Sequence, residues 1–188
     1  MELFDNIEFD NKDFTNHGIP VGEYEDCSFV NCNFSQIDLS NFIFINCHFI
    51  GSNLSLVKLI NTVFREVVFK ECKMIGLFFD KVNSFGLALS FEQCNLSNSS
   101  FYQTKIKNTK FTSTSLVDVD FTESDISGSV LQNCDLTNAV FDRSNLEKVD
   151  FRTSYNYVID MDRNKIKKSQ HSLHSIHGLL YKHDIIID

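Results

Sequence analysis

Large apolar residues recur along this chain at a fixed interval of five. Between residues 91 and 151 the series runs Phe91, Leu96, Phe101, Ile106, Phe111, Leu116, Phe121, Ile126, Leu131, Leu136, Phe141, Leu146 and Phe151, with no position missed. A helix turns every 3.6 residues and a strand alternates every second residue, so neither keeps that interval on one face. A period of five requires a chain that turns a corner every five residues. Two positions before each large residue stands a small or β-branched one, among them Cys94, Ser99, Thr104, Thr109, Val119 and Ala139; only Leu89 is large. Each unit therefore offers one large and one small inward position followed by polar ones. That pattern predicts a narrow tube whose walls are short straight segments joined by tight turns.

The same spacing, in a shifted phase, runs back through Tyr24, Phe29, Phe34, Leu39, Phe44, Phe49, Leu54, Leu59, Phe64, Phe69, Met74 and Phe79, and reaches Phe14 and Ile19, giving about 25 clear units. Asp or Asn precedes the large residue at Asn33, Asp38, Asn53, Asn95, Asp120, Asp125, Asp135, Asn145 and Asp150, whereas Ile37, Phe42 and Leu77 overfill the small position. On these residues the chain resembles the pentapeptide-repeat family, whose unit is a small residue, Asp or Asn, Leu or Phe, and two variable positions. The resemblance implies an all-β fold, a right-handed quadrilateral parallel β-helix of about seven coils. Its organisation would be an acidic N-terminal lead-in or cap over 1–20, the solenoid over 21–155, and a tail over 156–188 with a last partial coil, a short helix and a terminal strand.

Two places interrupt the pattern. Phe79 and Phe91 are twelve residues apart where ten would keep phase, so two extra residues lie within 80–90. Asn83, Ser84 and Gly86 make that segment able to turn, and Phe85 and Leu87 are expected to anchor it to the core; it reads as a plain bulge or as a small recognition feature. After Phe151 a basic cluster of Arg163, Lys165, Lys167 and Lys168 precedes residues 171–182, where Leu173, Ile176, Leu179 and Leu180 fall at helical spacing. A helix with that stripe, together with Ile185 and Ile187 of the expected strand, either caps the rod or joins two copies. The resemblance to quinolone-resistance pentapeptide proteins favours a homodimer through this element.

Composition narrows the chemistry. Nineteen Phe, no Trp and one Pro fit a stacked bore, since proline would remove a ladder donor. Cys27, Cys32, Cys47, Cys72, Cys94 and Cys134 all occupy the small inward position, so the repeat sets their spacing and they read as buried free thiols that behave as small hydrophobes. Free thiols, an acidic opening segment and the lack of a long apolar run predict a cytoplasmic protein with no membrane role. No phosphate loop, nucleophile elbow or zinc-protease motif is present in the sequence. Steps of three drift His171, His174 and His177 around a helix, so at most two could share an ion. Neither enzymatic activity, nor a metal, nor a cofactor is expected.

A binding role remains. The formal charge is −8, and between residues 117 and 142 the charges are Asp118, Asp120, Glu123, Asp125, Asp135 and Asp142 with no intervening Lys or Arg. That run is either a solvated face or an acidic patch for a partner. The chain is expected to be a protein-interaction rod that binds no nucleic acid directly. The alternative implied by the resemblance is a DNA mimic that binds DNA gyrase or topoisomerase IV, type II topoisomerases, and modulates quinolone susceptibility. The long loops of some such proteins are missing, and duplex DNA of about 34 Å carries roughly twenty charges.

Overall fold

Most sides of the coil end two residues past the large inward residue, at a corner where the backbone turns left-handed: Asn31 (φ 52°), Asn61 (φ 57°), Asn108 (φ 57°) and Asn138 (φ 57°) are examples. Asn and Asp tolerate that conformation better than other non-glycine residues. Repeating the corner winds the chain into a parallel β-solenoid of about seven turns. The computed structural model describes residues 1–183 and 185. Successive coils lie twenty residues apart, with Phe91 paired to Phe111 and Phe111 to Leu131.

The first wall carries β1 (Glu2–Asp5), β3 (Gly22–Glu25), β5 (Ile43–Ile45) and β7 (Val63–Arg65), a four-stranded parallel sheet. The second wall is a seven-stranded sheet of β2 (Glu8–Asp10), β4 (Ser28–Val30), β6 (His48–Ile50), β8 (Val67–Lys70), β9 (Leu89–Glu92), β10 (Lys110–Thr112) and β11 (Val130–Gln132). Single bridges build the other walls, such as Asn95 to Ser115 on the third and Ser100 to Asp120 on the fourth. Inside, rings stack coil on coil. Phe101 lies 5.2 Å from Phe121 at 5°, and Phe121 lies 5.2 Å from Phe141 at 1°.

The small inward position has a second requirement that apolar patterning does not reveal. From it a side chain donates to the carbonyl of the large residue one coil back: Ser144 Oγ to Phe121 at 2.8 Å, Thr62 Oγ1 to Leu39 at 2.8 Å, Cys47 Sγ to Tyr24 at 3.2 Å and Cys134 Sγ to Phe111 at 3.4 Å. The cysteines are thus small donors interchangeable with Ser and Thr, and not simply small hydrophobes. All six are buried and unpaired. Burial pushes the Cys47 thiol up to about 12 and that of Cys134 up to about 11, which keeps both protonated.

The acidic lead-in is itself wound as a coil. Leu3, Phe4 and Asp5 pair with Glu23, Tyr24 and Glu25, and the Phe4 ring stacks 4.6 Å from Tyr24. The phase slip at 80–90 also resolves. Phe69 pairs with Phe91 and Phe78 with Ser100, both twenty-two residues apart, so the two extra residues are absorbed on the first wall. A 3-10 turn at Phe79–Lys81 leads into it, Asn83 Oδ1 accepts from the Phe85 amide at 2.9 Å, and Gly86 takes φ 70°. Leu87 packs on the core, but Phe85 is 76% exposed, against the expectation that it anchors the segment. Its ring lies under the Arg65 guanidinium at 5.5 Å. The turn needs its backbone to bulge, and the bulge carries the side chain outward.

The coil pattern continues beyond Phe151, with Asn145 bridged to Lys165 and Asp150 to Gln170. The helix expected over 171–182 is one turn, α1 (His177–Leu180), followed by a 3-10 turn at Tyr181–His183. Helix formation is pre-empted because His171 serves as the last inward ring, stacked on Phe151 at 5.3 Å and 9°, and Ser172 and Ser175 bond to each other at 2.8 Å. Leu179 is buried and Ile176 packs on the rod's own core, while Leu180 is half-buried and Leu173 and Ile185 are exposed. Of the strand expected over 184–188, Ile185 is described and belongs to no strand, while the rest, with Ile187, lies outside the described residues.

Burial holds the His171 imidazole below its ordinary range, between the Tyr157 hydroxyl at 2.9 Å from Nδ1 and Ser169 Oγ at 2.9 Å from Nε2. Because the folded form binds the proton less readily than the unfolded form, this group supports the fold above about pH 6.5 and ceases to do so as pH falls through that value. The melting temperature should therefore drop between about pH 7.5 and pH 5.5. Replacing His171 with Phe, which prolongs the ring ladder, should flatten that profile; an unchanged slope would exclude His171 as its source.

Candidate interaction surfaces

All chemical variety is displayed on outward positions, two flanking each large residue and one at the corner. The six acids of the 117–142 run divide among three walls. Asp135 lies on the third wall and Asp118 at its corner, Asp120, Glu123 and Asp142 belong to the fourth, and Asp125 lies on the C-terminal half of the first. Stacking of coils brings cations to several of them that are remote in sequence. Glu123 accepts from Arg143 at 2.7 Å and from Gln103 Nε2 at 2.6 Å, and these bonds hold its carboxyl below the usual range. Asp142 pairs with Arg143 at 3.0 Å and with Arg163 at 2.6 Å, and Asp125 pairs with Lys107 at 3.1 Å. Exposed pairs of this kind contribute little stability but do cancel charge.

The other three acids have no ion pair among the described residues. Asp118 accepts from Asn138 Nδ2 at 3.0 Å, Asp120 from the Thr122 amide at 2.8 Å, and Asp135 from Thr137 Oγ1 at 2.7 Å and Asn156 Nδ2 at 3.0 Å. Asp120 and Asp135 thus fold their own turns without meeting a cation among the described residues. The net anionic surface of this segment is three carboxylates around one edge of the rod.

A second surface was not recognised from the apolar periodicity alone. At the edge between the third and fourth walls, Leu56 of the third-wall corner and Ile60 and Phe78 of the fourth wall are more than half exposed and line a shallow groove with Gly76, flanked by Lys58 and Lys81. Leu56 holds a left-handed corner with φ 58°, a conformation that disfavours a large side chain by about 1–2 kcal/mol. It fits because Gly76 lies on it one coil up, where a Cβ would approach Leu56 Cδ2 to 2.8 Å. The signal was one of phase: these residues stand two after Leu54, one after Leu59 and one before Phe79, all outward positions.

The sequence profile of the pentapeptide repeat region matches residues 23–84 and 87–155, and the two residues between the matches, Phe85 and Gly86, belong to the bulge. No curated protein sequence matches the chain. Two trypsin-treated variants of QnrB1, described as a plasmid-mediated fluoroquinolone resistance protein, share its fold. One has a TM-score of 0.66 at 16% identity over 100% of both chains, and the other 0.64 at 17% over 99% of this chain and 98% of that one. HetL, a pentapeptide repeat protein involved in heterocyst differentiation regulation from the cyanobacterium Nostoc sp. strain PCC 7120, aligns at a TM-score of 0.39 and 15% identity over 89% of this chain and 86% of its own. With a five-residue period, twenty-residue register and a profile that covers most of its length, the chain belongs to the pentapeptide-repeat family.

Proposed function

We propose that this chain is a non-catalytic interaction rod whose outward side chains dock a protein partner. The observation that carries the reading is the groove where Phe78 stands in place of Ser100 and Asp120 of later coils, Leu56 in place of Asn98 and Asp118, and Ile60 in place of Ser40 and Asp80. An exposed apolar patch on a rigid polar rod fits an apolar anchor residue of a partner protein. Lys58 and Lys81 are already paired with Asp38 at 3.8 Å and Asp80 at 2.7 Å, so the groove itself presents little free charge. The test is capture from cell extract followed by binding with purified components. Phe78→Asp should abolish binding of the captured partner, and equal binding by wild type and variant would overturn the groove.

A second reading, docking to a type II topoisomerase as a DNA mimic, is supported by the charge of −8 and by full-length likeness in fold to a fluoroquinolone resistance protein. Partial cancellation of Glu123, Asp125 and Asp142 makes it the weaker of the two. Purified protein at micromolar concentration should alter gyrase supercoiling, with or without a fluoroquinolone, if this reading holds. Charge reversal at Asp118, Asp120 and Asp135 should then remove the effect. No inhibition and no protection would eliminate it.

A further inference from the structure

On the first wall four rungs, β1, β3, β5 and β7, precede the bulge of residues 82–87, and four follow it, at Lys105, Asp125, Asn145 and Lys165. The charges divide at the bulge. The N-terminal half displays Asp5, Glu23, Glu25, Asp26 and Glu66, with Arg65 its one cation. The C-terminal half displays Lys105, Lys107, Lys148, Lys165, Lys167 and Lys168, against Asp125 and Glu147.

Like charges are stacked at both ends of this wall, although Lys105 adjoins Asp125, Lys167 adjoins Glu147 and Asp26 accepts from Asn46. Asp5 sits directly beside Glu25, and Lys148 lies one coil from Lys168, both lysines in left-handed corners with φ 61° and 62°. Among the described residues only Lys107 of the six lysines, and none of the five acids, has an ion pair. Other ladders alternate: Gln103, Glu123 and Arg143 bond in series, Asn41, Asn61 and Asn83 do likewise, and Lys70 meets Glu92. At the midpoint stands Phe85, 76% exposed.

We infer that the first wall is an antiparallel self-association surface, on which a second copy of this chain docks about a two-fold axis through Phe85. A two-fold contact must be self-complementary. This wall is so in net charge, because turning it end over end lays five acids and one cation on six lysines and two acids: Asp5 comes opposite Lys167 and Asp26 opposite Lys148, with the like pairs Glu25 and Glu147, and Arg65 and Lys107, as local exceptions. Parallel packing would oppose like charges. Nine rungs at roughly 4.8 Å make a strip about 38 Å long, and three outward residues make it about 10 Å wide. Two such strips bury on the order of 800 Å², below the range of stable specific interfaces and in that of weak, transient ones. Association is therefore weak and governed by salt. It differs from joining through the C-terminal turn, whose Leu179 is buried in its own rod. It goes beyond the interaction-rod reading, since it needs no other partner and occupies a different wall from the groove.

Sedimentation of the purified chain tests it. Dimer should form at about 25 mM salt, with at least about tenfold weakening by about 300 mM. Asp5→Lys/Glu23→Lys/Glu25→Lys and Lys165→Glu/Lys167→Glu/Lys168→Glu should each be monomeric alone and form a one-to-one complex when mixed. All six substitutions are at outward positions, and circular dichroism verifies that the variants fold. Phe85→Cys, the one accessible thiol beside six buried ones, should cross-link copies at low salt, while Gln132→Cys on the second wall should not. A chain monomeric at low salt, or a dimer indifferent to both charge reversals, overturns the inference.

Discussion

Phe111→Ala should lower unfolding free energy by about 3–5 kcal/mol, among the largest losses any single truncation in this chain can produce. Phe111 is the centre of β10, with no solvent exposure, and its strand pairs on both sides, with β9 and β11. Its ring stacks on Phe91 at 5.0 Å and 12°, and meets Phe101 at 6.2 Å and Phe121 at 6.4 Å edge-on. Two effects add. The apolar surface of the ring is lost, and the cavity persists because ladders above and below hold the coils at fixed spacing, leaving little room for collapse. Phe111→Leu should lose much less, since Leu131 occupies the same ladder one coil on. Urea unfolding measures both, and a loss under about 1 kcal/mol for the alanine variant would contradict this account of the core. Because each coil touches only its neighbours, the defect should also weaken coupling between the halves, seen as a broadened or split transition.

The fold was largely legible because its rule is local and repeated. An inward side chain every five residues is visible wherever it stands, and register follows from counting: Phe91, Phe111 and Leu131 had to share a wall once four sides made a coil. The least legible parts are those where a position has two requirements. The small slot was read by size, yet Cys47, Thr62 and Ser144 occupy it also because each donates to a carbonyl one coil back. Corners read as variable are rich in Asn because the backbone there is left-handed.

Surfaces were harder to read for a related reason. Charges distant along the chain become neighbours at a separation of twenty, so a run without cations between Val117 and Asp142 acquires Arg143, Arg163 and Lys107 in space. The same stacking that sets Arg143 against Glu123 sets only Asn138 against Asp118; both acids hold the corner of their units, so the residue twenty further on distinguishes them. Phe85 failed in another way. Its hydrophobicity points inward, but a two-residue insertion must bulge away from a bore already filled by Phe64 and Phe79.

Gly178→Ala should detach the C-terminal turn from the rod, by about 2 kcal/mol of local stability. A Cβ at Gly178 would collide with the Tyr157 carbonyl oxygen, and the obstacle is backbone, which cannot swing aside as a side chain would. Tyr157 is fixed in turn by its hydroxyl, 2.9 Å from His171 Nδ1 and 3.0 Å from Ser175 Oγ, and by its ring 5.3 Å from Phe151. The helical turn has to yield instead. With it would go the Ile159 amide bond to the Gly178 carbonyl at 2.9 Å, the burial of Leu179 and the Lys182 link to Asp160 at 2.8 Å. Amide hydrogen exchange resolves this from global destabilisation. About 2 kcal/mol is roughly a thirtyfold increase in opening, expected at Ile159 and Leu179, while the Phe111 amide in the middle of the rod keeps its protection. Gly18→Ala is the control, since Gly18 has φ 66° but open space around it, so strain without collision should leave the tail unaffected. Unchanged protection at Ile159 and Leu179 in the Gly178 variant would show that the turn does not depend on this close approach.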